Sequence, residues 1–143
     1  QGRVSVKLDV FSFGVLILEI ISGQLISSFT IEENSENLLS FAWKNWQEGT
    51  PWNMVDPELS AASKSEILRC IHIGLLCIQH NPAERPTMSS IALMLSSSSM
   101  SLPVPSQPAF FTRRNPTVPD MPDAKGNGVE SINEVSVTEP YPR

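Results

Sequence analysis

The chain has 143 residues, 41% hydrophobic and 17% charged, so it is long and apolar enough to bury one core. Ten basic against 15 acidic side chains give a net charge of −5, which argues against a nucleic-acid partner and against docking on anionic lipid, since both need a basic patch. Two cysteines exclude a disulfide framework and a four-cysteine zinc site.

The first helix is predicted over about Asp9 to Ser22. Asp9 stands where a carboxylate caps a first turn, and Gly23 suits the C-terminal cap. Val10, Phe11, Phe13, Val15, Leu16, Ile17, Leu18, Ile20 and Ile21 cover nearly every face, so this helix is expected to be buried all round. Its most apolar run, Val15 to Ile21, is interrupted by Glu19 and falls far short of the roughly 20 residues of a membrane span. No direct membrane insertion by this segment is expected, and no secretory leader is read at the start. The chain opens on Gln1 rather than Met and is expected to be processed or a piece of something longer.

A second helix is predicted over about Glu36 to Glu48, capped by Asn34 or Ser35, with Leu38, Leu39, Ala42, Trp43 and Trp46 in one stripe. Gly49-Thr50-Pro51 ends it, and Trp52 to Pro57 reads as a turn. A third is predicted over about Lys64 to Gln79, opened by a Ser63/Glu66 capping box, with Ile67, Ile71, Leu75 and Ile78 as its core stripe. Asn81-Pro82 ends it. A last helix runs from near Thr87 to about Ser96 and carries Met88, Ile91, Leu93, Met94 and Leu95. The composition then changes: eight of the 12 prolines lie between Pro103 and Pro142. Residues 1–102 are therefore read as an all-α domain, and 103–143 as a mostly disordered Pro/Ser/Thr-rich tail. Within that tail Ala109-Phe110-Phe111 is the apolar spot able to dock on the domain.

The residue types offer no catalytic constellation. Cys70 and Cys77 stand seven apart on one helix, about 10 Å between Cα atoms, too far for a disulfide. They read as buried thiols. His72 and His80 share a helix face without a third ligand between them, so His72 reads as a core or interface residue and His80 as a cation near a helix C-terminus. Trp43 and Trp46 are spaced i, i+3 and read as packing residues rather than a ligand platform. No glycine-rich phosphate loop, Gly-x-Ser-x-Gly elbow, His-Glu-x-x-His helix or calcium loop occurs.

Two segments carry more. Val6-Lys7-Leu8-Asp9-Val10-Phe11-Ser12-Phe13-Gly14-Val15-Leu16-Ile17-Leu18-Glu19-Ile20-Ile21-Ser22-Gly23 resembles the helix after the activation segment of eukaryotic protein kinases. Cys77-Ile78-Gln79-His80-Asn81-Pro82-Ala83-Glu84-Arg85-Pro86-Thr87-Met88 resembles the Pro-x-x-Arg-Pro-Thr-Met signature near the end of those domains. With Asn37 to Trp43 and Gln107-Pro108-Ala109-Phe110-Phe111, the chain is similar to plant receptor-like Ser/Thr kinases over about residues 1–112. The cysteine-rich branch is the nearest match and the S-domain branch is next.

The resemblance implies the C-terminal helices of a kinase C-lobe. It implies that Asp9 accepts hydrogen bonds from the catalytic-loop backbone and that Arg85 pairs with the glutamate of an Ala-Pro-Glu motif. Both are structural anchors. Where the branch usually has Ser, this chain has Leu8. The glycine-rich loop, the strand lysine with its helix glutamate, the Asp-Phe-Gly aspartate and the His-Arg-Asp catalytic loop are all missing. Asp56-Pro57-Glu58 comes after the Asp9 helix, in the wrong order for Ala-Pro-Glu. No catalytic, cofactor-binding or metal residue is therefore expected in this segment. ATP and Mg belong to the parent kinase, which would phosphorylate protein Ser/Thr on the cytoplasmic side of the plasma membrane. The expected partners are the remainder of the kinase domain and protein substrates or receptor-kinase partners.

The alternative is a non-catalytic interaction module, soluble if the chain exists alone, that competes with or docks onto receptor kinases. An unrelated helical adaptor is disfavoured by two signatures in the right order. Without their family partners, Asp9 and Arg85 would each cost about 3–5 kcal/mol if buried, against a total stability of roughly 5–15 kcal/mol. The isolated chain is therefore expected to fold poorly or to depend on a partner, and a sharp reversible thermal transition of a monomer would contradict this. Thr112, Thr117, Ser131, Ser136 and Thr138 are candidate phosphosites in the tail.

Overall fold

Caps and apolar spacing place four helices: α1 (Gly2–Ser22), α2 (Leu38–Gln47), α3 (Lys64–Cys77) and α4 (Met88–Ser96). The computed structural model describes residues 2–28 and 36–111. Asn34, Ser35, and the candidate phosphosites with the chain beyond 111 lie outside the described residues. Among the described residues there is no strand, so the all-α reading holds.

α3 is the element on which the core is organised. Its Ile67, Ile71, Leu75 and Ile78 join Leu18 and Ile21 of α1, Leu38, Leu39, Ala42 and Trp43 of α2, and Met54. Its other side supplies Ile73, Leu76 and Cys77 to a second cluster with Val10, Ile91 and Met94. The stripe foreseen on helix three is thus buried in full, and a second stripe beside it makes α3 apolar on two faces. α1 can lie against it because two glycines meet at the crossing. A Cβ on Gly14 would sit 2.6 Å from Cys77 Cβ and 2.9 Å from the Gly74 carbonyl. A Cβ on Gly74 would sit 3.1 Å from Leu18.

The caps agree with the sequence in part. Gly23 ends α1 at φ +72 with its N–H on Glu19 O at 2.8 Å, the left-handed cap expected of it. The Ser63 hydroxyl accepts the Glu66 N–H at 3.4 Å and the Thr87 hydroxyl accepts the Ser90 N–H at 3.1 Å. α2 begins two residues later than expected, and its cap is Asn37, whose Oδ1 accepts from Ser40 N at 2.8 Å. α1 begins two turns earlier than expected. Asp9 is mid-helix and exposed, so it caps nothing. The reason is tertiary: Lys7 Nζ donates to Arg85 O and Arg85 Nη1 returns a bond to Lys7 O, which fastens the early turns to the loop before α4. Short 3-10 turns begin at Pro51, Pro57 and Pro82, where a fixed φ suits the first position.

The boundary expected at 102 falls inside the packed structure. Residues 102–111 form an extended strap laid on the end of α3. His80 N–H donates to Gln107 O and Ala109 N–H donates to Ile78 O, each at 2.9 Å. His72 Nε2 donates to Pro103 O at 2.7 Å, and Asn37 Nδ2 donates to Phe110 O at 2.8 Å. Pro105, Pro108 and Ala109 are buried, and Phe111 packs against the first core cluster. The Ala109–Phe111 spot does dock. Composition misread the rest of the strap because it is held mainly by backbone hydrogen bonds, which leave no apolar period.

Arg69 closes the C-terminal end of α4. Its guanidinium donates to Met94 O at 3.0 Å and to Ser97 O and Met100 O at 2.8 Å each. Met94 O is a last-turn carbonyl at the negative end of the helix dipole, and Ser97 O and Met100 O belong to the turn that follows. Arg69→Met keeps the aliphatic stem and removes all three donors. It is expected to cost about 2 kcal/mol, read as a lower Tm on thermal unfolding, with Arg69→Lys recovering part.

Candidate interaction surface

α1 is buried on one side only, which corrects the expectation of burial all round. Val10, Gly14, Leu18 and Ile21 face α3. On the opposite side Leu8 is 58% exposed, Leu16 49% and Ile20 62%. With Ser12 these positions follow the i, i+4 spacing of a single helix face. Three helices of this size cover only one flank of α1, so the apolar residues of the other flank stay in water. Large side chains in such a stripe mark an interaction surface.

Arg85 stands at one end of this helix. It is half-buried, with Nε on Gln79 O at 2.8 Å and Nη1 on Lys7 O at 3.1 Å. Its guanidinium lies 5.1 Å from the Phe11 ring centre, and Phe110 meets Phe11 edge-on at 5.8 Å. Burial lowers its pKa, and the neighbouring Cys77 works the other way; it stays charged at any physiological pH. Its described partners are neutral carbonyls and a ring, with no carboxylate among them. Asp9 is exposed, so neither charge is stranded in the core, and the destabilisation expected from two unpaired buried charges does not apply. The open apolar face of α1 is then the feature that favours a partner.

The other candidates take structural places. Trp43 is buried, and Trp46 is half-buried with its ring 4.9 Å from that of His72. His72, expected as a core or interface histidine, is half-buried and joins α2, α3 and the strap, while the His80 side chain is exposed. Both thiols are free, but Cys70 is only half-buried where burial was expected. Burial pushes the Cys77 thiol from 9.0 up to about 12, with Arg85 opposing. Burial, then Glu66, raise Cys70, with Arg69 opposing. A thiol protonated in the folded state but ionised in the unfolded state weakens folding as pH rises. The Cys77 contribution is therefore intact below pH 9.0 and is lost progressively toward about pH 12. At pH 8 iodoacetamide is expected to label Cys70 before Cys77, and both more slowly than in denaturant, as mass spectrometry of the two peptides would record.

No group of three His, Cys, Asp or Glu side chains able to hold a metal occurs among the described residues, and no described helix is long and apolar enough to cross a membrane. Lys7, Phe11 and Phe110 escaped the sequence reading as parts of the Arg85 site. The Gln107-to-Phe111 resemblance was the one signal for Phe110.

No protein-family model matches the chain. Curated proteins do. Cysteine-rich receptor-like protein kinase 26 of Arabidopsis thaliana is 49% identical over 146 aligned residues, covering all of this chain and 22% of that protein. Cysteine-rich receptor-like protein kinase 28 from the same plant is 49% identical across 99% of this chain and 21% of its own length. The chain is a segment of the cysteine-rich receptor-like protein kinase type. It spans about a fifth of the length of these curated relatives. A third member, cysteine-rich receptor-like protein kinase 7, is 50% identical over 117 residues and 81% of this chain. In this kinase-type segment the exposed stripe of α1 and the carbonyl-bound Arg85 lie on the same helix and the loop fastened to it.

Proposed function

We propose that the chain is the C-terminal part of the catalytic domain of a receptor-like Ser/Thr kinase and serves as its scaffold. The parent transfers the γ-phosphate of ATP, with Mg, to protein hydroxyls beneath the plasma membrane. This segment supplies no reacting group. Its α1 carries the remaining helices on the stripe Leu8, Leu16 and Ile20, with Asp9 as acceptor for the catalytic loop and Arg85 as partner for an upstream glutamate. The open stripe is the observation that carries this reading, since large apolar side chains exposed in one stripe mark a face that another element covers.

Co-expression with the upstream kinase segment of a cysteine-rich receptor-like kinase tests it. A one-to-one complex with ATP-dependent Ser/Thr phosphorylation is expected, and Leu16→Asp with Ile20→Asp is expected to abolish both. The chain alone is expected not to bind ATP, and saturable binding at micromolar nucleotide would overturn the reading. The same stripe suits a free-standing docking module. An immunoblot of source tissue with antibody to residues 113–143 separates the two by size.

A further inference from the structure

Ser106 occupies the middle of the strap and holds it to the segment that follows α3. Its N–H donates to Gln79 Oε1 at 2.8 Å. Its hydroxyl oxygen lies 3.0 Å from that same oxygen and 2.8 Å from Glu84 Oε1. A hydroxyl has one hydrogen, and the shorter contact to a charged acceptor takes it. Gln79 is only 3% exposed and directs its amide hydrogens to Leu76 O and Glu84 O, so Ser106 is what satisfies the remaining oxygen. Ser106 itself is exposed, in extended backbone between Pro105 and Gln107-Pro108. A protein kinase needs its target hydroxyl in such a segment, where chain and oxygen can enter a cleft and align with a phosphoryl donor.

We propose that Ser106 is a phosphorylation site and that phosphate there releases the 102–111 strap from α3. In the transfer, Ser106 Oγ forms a bond to the γ-phosphorus of a nucleoside triphosphate held by a Ser/Thr kinase. The bond from that phosphorus to the leaving diphosphate breaks, and the hydroxyl proton passes to the kinase's base; nothing is oxidised or reduced. The product has no hydrogen to donate at Oγ and carries about −1.5 to −2 charge. It faces two acceptors, Gln79 Oε1 and the Glu84 carboxylate, and among the described residues no cation contacts Ser106. Repulsion and the lost bond act on the His80–Gln107 and Ala109–Ile78 bonds, which follow Ser106 along the strap. Release frees the Ile78 carbonyl and uncovers the edge of the Phe11 ring that Phe110 meets. Any Ser/Thr kinase can drive the switch, so it stands or falls separately from the function proposed for this chain.

The test is hydrogen exchange on the 143-residue chain with genetically encoded phosphoserine at 106. The amides of His80 and Ala109 are expected to exchange at least about tenfold faster than in the unmodified chain, while interior α3 amides at Ile71 and Leu75 are unchanged. Ser106→Ala keeps the backbone donor and is expected to give under about threefold. Glu84→Gln in the phosphorylated chain is expected to restore part of the protection. Retained protection with phosphate in place, through capture by Arg85 or otherwise, overturns the proposal. So does an unmodified chain with no slow amides in the strap. Phosphopeptide mapping of the protein from its source is expected to find phosphate on Ser106, and its absence from every signalling state sampled overturns the site.

Discussion

Gly14→Ala is expected to destabilise the fold by about 2 kcal/mol net. Alanine in mid-helix gains up to about 1 kcal/mol over glycine. Overpacking at a fixed contact costs about 3 kcal/mol, and that term wins here. The new methyl would lie 2.9 Å from a backbone oxygen and 2.6 Å from Cys77 Cβ, neither of which can rotate away. α1 must retreat from α3, and both core clusters open with it, since Val10 and Leu18 flank the crossing. Urea unfolding would show a lower midpoint at unchanged m-value. Ser12→Ala, on the exposed face of the same helix, is the control and is expected to fall within about 0.5 kcal/mol of the parent chain. Equal losses at both positions would mean that α1 does not meet α3 through Gly14.

Gln79→Leu is expected to cost about 3 kcal/mol, although leucine is the more apolar residue. Its amide hydrogens serve Leu76 O at 3.0 Å and Glu84 O at 2.8 Å, and its oxygen takes the Ser106 N–H. Each polar group left buried without a partner costs about 1–3 kcal/mol, more than the transfer of a leucine side chain returns. Gln79→Glu preserves shape and an acceptor but loses both donors, and it is expected to be no better. Thermal unfolding measures the loss, and faster exchange at Ala109 locates it in the strap. A neutral Gln79→Leu variant would show that the strap is not keyed by this amide.

Several features were legible in the residues themselves. The spacing of Ile67, Ile71, Leu75 and Ile78 names the buried face of α3 because a helix repeats every 3.6 residues wherever it sits. Gly23 names the end of α1, since its φ of +72 is readily adopted only without a Cβ. The two kinase-like segments identified the family from residue identity, before any fold was known.

Other features have no local signature. α1 is apolar on every side, so periodicity could not say which side is covered; the glycines at the α1–α3 crossing decide that. Asp9 had the residue type of a cap but not its place, because the start of α1 is set by bonds between Lys7 and Arg85, 78 positions apart. Arg85 reads in sequence as a cation that has lost its carboxylate, yet folding supplies carbonyls and a ring. The strap looked like tail because its order comes from Gln79, Ile78 and His80 on another element. Local order follows from residue spacing along one helix. Burial, pairing and the open face of α1 depend on which segments meet, and only the folded chain decides that.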